Sequence, residues 1–280
     1  MTTHINTGTS TGLRWLRRLL LCVVLALVTS AAGAVAGKPG TNAWNAVADA
    51  APSTTGGTVR VVVLDQSGRA LLSGPGAGQR VYTASLVKLL VVEQLFHRAE
   101  DGDLNLDAAD LSLMRRAVET SDDSAMSSLW TRFDGPQLVT DAADEFDLSD
   151  TASTRIPGEW GASTTTAADY ASFLAGLRSH LHRTDYRTLA RWMHATTSRA
   201  ADGFDQDFGT LAPDLQPAGT VRAKQGWMCC TGHQRELHSA GVLADGRVVV
   251  ALGAFPVGTT WGQAIPALDA AVSAAVRRTD

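Results

Sequence analysis

The chain has 280 residues, 45% of them hydrophobic and 19% charged, with a net charge of −4. That length supplies a buried core for one large domain or two small ones. No basic stripe is present, so no nucleic-acid partner is expected.

Of the 24 basic side chains, only Lys38, Lys88 and Lys224 are lysines. Arginine stays protonated, whereas a buried lysine can give up its proton, so a lysine kept in so arginine-rich a chain marks a position to follow. The N-terminal stretch 1–37 stands apart from the fold. Arg14, Arg17 and Arg18 precede an apolar run at 19–28, and the small residues Ala31, Ala32, Gly33, Ala34 and Ala36 follow. This is the pattern of an export signal, with retention as a membrane anchor over 19–36 as the alternative. Either way the expected location is outside the cytoplasmic membrane, secreted or in the cell envelope. Cys22 lies inside the apolar run, not at its end, which argues against lipid attachment there.

Residues 38–57, rich in Gly, Ala, Thr and Pro, read as a linker. A β-branched run at 58–64, the turn residues Asp65 to Gly68 and a returning strand at 69–73 then make a hairpin. The segment 86–96 is apolar on nearly every side, as a helix in the middle of a domain would be. Helices are expected at 110–119, 124–132, 166–181 and 187–197, the third opened by the capping run Ser163-Thr164-Thr165. The stretch 134–163 reads as a loop. Strands return at 220–228, 237–243 and 248–255, with a hairpin turn at Ala244-Asp245-Gly246-Arg247. Helical spacing of Ile265, Leu268, Val272 and Val276 closes the chain over 261–277. The expected architecture is α/β of the α+β type: an antiparallel sheet flanked by helices (58–84 and 205–280) and a mostly helical lobe (85–204).

Chemistry concentrates in three short strings. Ser85-Leu86-Val87-Lys88 places a serine and a lysine one helical turn apart, with the helix start favouring negative charge nearby. Ser121-Asp122-Asp123 opens the helix at 124–132, and Lys224-Gln225-Gly226 lies on the first returning strand. Cys229 and Cys230 are adjacent, so a disulfide between them is geometrically distorted. A bridge and two thiols on opposite sides of a strand both remain open. No C-x-x-C, Cys/His cluster or H-E-x-x-H spacing occurs, and neither metal nor other cofactor is expected. No G-x-S-x-G elbow marks a triad serine.

In their order and on these elements, the three strings resemble the S-x-x-K, S-D-N and K-T-G set of class A β-lactamases and penicillin-binding proteins, over about residues 58–280. The resemblance implies an exported serine hydrolase acting on β-lactams or D-Ala-D-Ala-type cell-wall peptides through an acyl-enzyme. Ser85 would be the nucleophile and Lys88 its proton acceptor. Ser121 would relay a proton to the leaving amine, and Lys224 would attract a substrate carboxylate. The backbone N–H groups of Ser85 and Trp227 would hold the oxyanion, with Asp123, Gln225 and Gly226 as further substrate contacts and Arg235 either another or a solvated surface arginine. Asp123 stands where the pattern has Asn, and Gln225 where it has Thr. The water-activating glutamate of the class A pattern falls on Pro157, with Glu159 two residues on. Acylation is therefore expected to outrun hydrolysis. Two rivals are a non-catalytic cell-wall peptide binder and an esterase or amidase using the same serine.

Overall fold

The computed structural model describes residues 55–215 and 221–280. The segment 1–37, most of the linker and the expected strand start at Thr220 lie outside these residues. The strand β1 (Thr58–Leu64) sends Val62 and Leu64 into one hydrophobic core and Val61 and Val63 into another. β7 (Val248–Pro256) does the same, with Val250 and Leu252 on one side and Val249 and Ala251 on the other. A strand buried on both faces has no polar face to show, which is why both read as continuous apolar runs.

With β2 (Ala70–Ser73), β5 (Arg222–Cys229) and β6 (Gln234–Val242), they form one antiparallel sheet in the order β2-β1-β7-β6-β5. A two-stranded ladder pairs β3 (Val81–Tyr82) with β4 (Thr164–Thr165). Covering the first core are α1 (Val87–Glu100), α2 (Ala108–Glu119), α3 (Asp123–Arg132), α4 (Gly135–Glu145), α5 (Ala167–His180) and α6 (Arg183–His194). On the opposite face lies α7 (Trp261–Arg278). Every residue of α1 from Val87 to Phe96 is buried, Lys88, Glu93 and Gln94 included, as a helix at the centre requires.

Three local expectations are corrected. The stretch 134–163 is not a loop throughout, because it contains α4, entered through Gly135 and Pro136. Proline is pre-organised for a first helical turn, so its presence there starts a helix. The cap of α5 is Thr166, whose side chain accepts from the Asp169 amide at 3.0 Å, while Thr164 and Thr165 are occupied in β4. Within the stretch read as a helical lobe, α5 packs on β1 and β7 and so belongs to the sheet's own layer.

Candidate active site

Ser85 sits in a 3-10 turn (Ala84–Leu86) just ahead of α1. Ala84 holds φ +45°, a left-handed conformation costly for a residue with a Cβ. The turn is fixed from several sides. Tyr170 of α5 donates its hydroxyl to the Leu86 carbonyl at 2.9 Å, and the Thr83 amide donates to Ser163 O at 2.7 Å. Gly226 of β5 explains the close approach of the sheet: a Cβ there would meet Leu86 N and Thr83 O at 3.3 Å. Its role is to let the edge strand lie against the serine turn.

The second serine, Ser121, joins α2 to α3 with φ +51°, again left-handed. Asp122 caps α3 by accepting from the Ala125 amide at 3.0 Å. Two buried lysines converge on Ser121. Lys88 Nζ lies 3.2 Å from its Oγ and 2.6 Å from its carbonyl, and Lys224 Nζ lies 2.8 Å from the same Oγ. Lys88 also pairs with Asp123 Oδ1 at 2.6 Å, and Lys224 donates to Gln225 O at 2.7 Å. Both amines are fully buried. Burial pulls Lys88 below the ordinary amine value, opposed by Asp123. Among the described residues Lys224 pairs with no carboxylate; burial and then the charge on Lys88 hold it well below that value. Among the described residues Ser85 Oγ has no hydrogen-bond partner, so the expected direct contact with Lys88 is replaced by one between Lys88 and Ser121.

A cleft of about 320 Å³ opens over these groups, lined by Ser85, Asp123, Ser127, Glu159, Trp160 and Trp227 among others. The β3–β4 ladder brings the 158–161 turn to its rim. Glu159 is exposed there. Trp160 places its ring 4.8 Å from Lys88 Nζ, a face that favours the charged amine, and its Nε1 donates to Ser127 Oγ at 3.2 Å. Trp227 stacks on Phe204 with centroids 4.6 Å apart and donates Nε1 to Asp202 at 3.0 Å. β5 is an edge strand, so every second amide along it faces away from the sheet.

Two candidate substrate contacts do not reach the cleft. Gln225 is buried, and its Nε2 donates to the carbonyls of Phe208 at 2.5 Å and Gln206 at 3.2 Å. Side chains alternate along a strand, so with Lys224 turned to the serines Gln225 faces the second core. Arg235 pairs in register with Cys229, and its guanidinium lies 4.2 Å from the Trp261 ring of α7, on that same far side. Cys229 and Cys230 are joined in a disulfide where β5 ends. Ser127 and Trp160 escaped the sequence reading. Ser127 could have been found at i+4 from Asp123, which puts both on one face of α3. Trp160 carried no local signal.

No family model matches the chain. Among curated proteins it is similar to the "Putative lipoprotein LppW" of Mycobacterium bovis (strain ATCC BAA-935 / AF2122/97) and of Mycobacterium tuberculosis (strain ATCC 25618 / H37Rv), 31% identical over 195 residues in each. The matched stretch is 69% of this chain, and the chain spans only 61% of the length of those relatives. Among solved structures it superposes on a beta-lactamase from Chitinophaga pinensis DSM 2588 with a TM-score of 0.70 at 13% identity, covering 85% of this chain and 100% of that one. The "Putative Class A Beta-Lactamase PenP" from Rhodopseudomonas palustris gives 0.68 at 20% identity, covering 84% and 99%. The fold is of the β-lactamase and penicillin-binding-protein type.

Proposed function

We propose that residues 58–280 form a serine acyl-transfer hydrolase that acts on β-lactams or D-Ala-D-Ala-type peptides through an acyl-enzyme on Ser85. The observation that carries this reading is the convergence of two buried lysines on Ser121 beneath a cleft that Ser85 lines. Buried amines with lowered proton affinity are what a serine nucleophile needs nearby, since a hydroxyl attacks only when its proton has somewhere to go.

In the proposed reaction Ser85 Oγ attacks the substrate carbonyl carbon and its proton passes to neutral Lys88. The amides of Ser85 and Trp227 receive the developing oxyanion. Ser121, bridged to both lysines, hands a proton to the leaving nitrogen as the C–N bond breaks. Lys224 supplies positive potential for a substrate carboxylate. Export to the cell envelope is part of the proposal, supported by the N-terminal pattern and by the lipoprotein name of the mycobacterial relatives. Among the described residues no helix is long and apolar enough to cross a membrane.

A second reading, a cell-wall peptide binder without turnover, has one observation behind it. The three protons of a charged Lys88 are all placed, on Ser121 O, Ser121 Oγ and Asp123, and none on Ser85. Intact-mass spectrometry after incubation with a penicillin separates the two. The hydrolase gives a single penicilloyl adduct that maps to Ser85 and disappears in Ser85→Ala. Reversible binding with no mass change would favour the binder, and an adduct surviving in Ser85→Ala would remove the nucleophile assignment.

A further inference from the structure

The far end of the nucleophile helix carries a second cluster that the reaction does not use. Glu93 and His97 lie one turn apart on α1, and Glu145 and His180 are the last residues of α4 and α5. Ligand atoms of Glu93, His97 and Glu145 all fall within 4.8 Å of one another. Glu145 Oε1 lies 3.4 Å from His97 Nδ1 and 3.1 Å from His180 Nδ1. We propose that Glu93, His97 and Glu145, with His180 against Glu145, form a binding site for a divalent transition-metal ion of the zinc type, which ties α1, α4 and α5 together.

Four features support the site. First, Gln94 Nε2 donates to Glu145 Oε2 at 2.7 Å and to Glu93 Oε2 at 3.1 Å. One amide thus fixes both carboxylates by one oxygen each, while Glu145 Oε1 faces the His180 and His97 imidazoles and Glu93 Oε1 is left without a partner. Glu93 is fully buried, and its Oε1 has no hydrogen-bond partner, an arrangement that costs free energy unless a cation or donor completes it. His97 Nδ1 is likewise buried without a hydrogen bond.

Second, the spacing suits the ion. Ligands bonded at about 2.0–2.1 Å in a tetrahedron sit about 3.3 Å apart, and the two Glu145–imidazole distances already match. Two imidazoles with two carboxylates are a donor set that zinc accepts. Third, the imidazoles are oriented from behind. His97 Nε2 lies 3.6 Å from Asp101 Oδ2, so the carboxylate stands behind the imidazole, and Phe146 stacks on His180 with centroids 3.9 Å apart. Fourth, three helix C-termini meet there, and their carbonyl ends favour a positive charge. No lysine or arginine pairs with Glu93 or Glu145 among the described residues. The partly exposed imidazoles and Glu145 leave the ion a way in from solvent.

The site is independent of the proposed hydrolase, since Lys88 lies about 7–14 Å back along the same helix. The test uses the purified full chain, stripped with a chelator and titrated calorimetrically with Zn²⁺, with Co²⁺ as a spectroscopic probe. The expected result is one equivalent bound, visible Co²⁺ bands of a nitrogen- and oxygen-ligated ion, and a raised melting temperature. His97→Ala and Glu93→Gln should each weaken Zn²⁺ binding by at least about tenfold. Should either fail to fold, His180→Ala, at a partly exposed helix end, must show the same loss. Absence of stoichiometric binding, or an affinity unchanged in His97→Ala and His180→Ala, would overturn the proposal and leave the cluster as histidine–glutamate ion pairs.

Discussion

Asp123 Oδ1 lies 2.6 Å from Lys88 Nζ, an ion pair in which the lysine is buried and the carboxylate largely exposed. The asparagine that the resembled pattern has there would touch the amine without charge. Here the contact raises the proton affinity that burial lowers. A carboxylate so placed favours the charged form of Lys88, which cannot accept the Ser85 proton, and so works against the lowering by burial. Asp123→Asn should therefore accelerate acylation at neutral pH and move the rising limb of its pH profile downward. Solvent screens the exposed partner, so a gain of about tenfold or less is expected. Stopped-flow acylation from pH 6 to 9 measures it. An unshifted profile with equal or slower acylation would show that Asp123 does not set the proton on Lys88.

Gln225 stands where a substrate contact was expected, yet its amide holds two backbone carbonyls of the 206–208 segment. Gln225→Ala strips both of their donor in a buried place, at a cost of about 1–3 kcal/mol. The melting temperature should fall while the second-order acylation constant stays within about twofold. A selective loss of acylation at unchanged stability would return Gln225 to the cleft.

The sequence made the frame legible where periodicity decides it. β1 and the final helix are found within a residue because β-branched runs and i, i+4 apolar spacing have few alternatives. The rarity of lysine pointed to Lys88 and Lys224, and the fold buries both against one hydroxyl. What failed was parity and distance. The motif string Lys224-Gln225-Gly226 implied three residues acting together, whereas a strand sends its middle residue to the other face. Arg235, open in the sequence to a substrate contact or a surface role, shares that far face. Trp160 and Glu159 reach the cleft only through the pairing of β3 with β4, which are two residues each and leave no periodic trace. The Glu93, His97, Glu145 and His180 cluster draws on three helix ends and has no spacing to read beyond one i, i+4 pair.

Glu236 and His238 sit side by side on β6, with His238 Nε2 3.7 Å from Glu236 Oε2 and 2.8 Å from Tyr82 O. Burial pushes Glu236 up to about 7 and His238 down to about 4. For Glu236 the folded value exceeds the unfolded 4.5, so its contribution is fully present below pH 4.5 and is lost as pH rises through 7. For His238 the folded value is below 6.5, so stability is lost as pH falls from 6.5 towards 4. Each shift is worth about 3 kcal/mol, with opposite signs across nearly the same window. The two should nearly cancel in the native chain. Glu236→Gln removes one side, and relative to it the native chain should gain about 3 kcal/mol between pH 7 and pH 4.5. Urea unfolding across that range reads the difference. A difference independent of pH would mean that Glu236 titrates alike in both states.

The turnover step is expected to be slow. Under the resemblance to the class A pattern, Pro157 falls where that pattern has its water-activating glutamate, and a pyrrolidine ring can neither accept nor deliver a proton. Glu159 lines the cleft, so distance does not disqualify it. Its side chain is exposed, however, and no hydrogen bond or ion pair orients it among the described residues. A general base must be held within hydrogen-bond reach of the water it activates, and an unheld carboxylate is not. Losing a positioned base slows a step by about 10² to 10⁴-fold, which lets the acyl-enzyme accumulate. Time-resolved mass measurement with a penicillin should show a first-order burst of one equivalent on Ser85, then slow release that Glu159→Gln changes by less than about threefold. Rapid steady-state hydrolysis, lost in Glu159→Gln, would mean that substrate draws the 158–161 turn inward and gives the water its base after all.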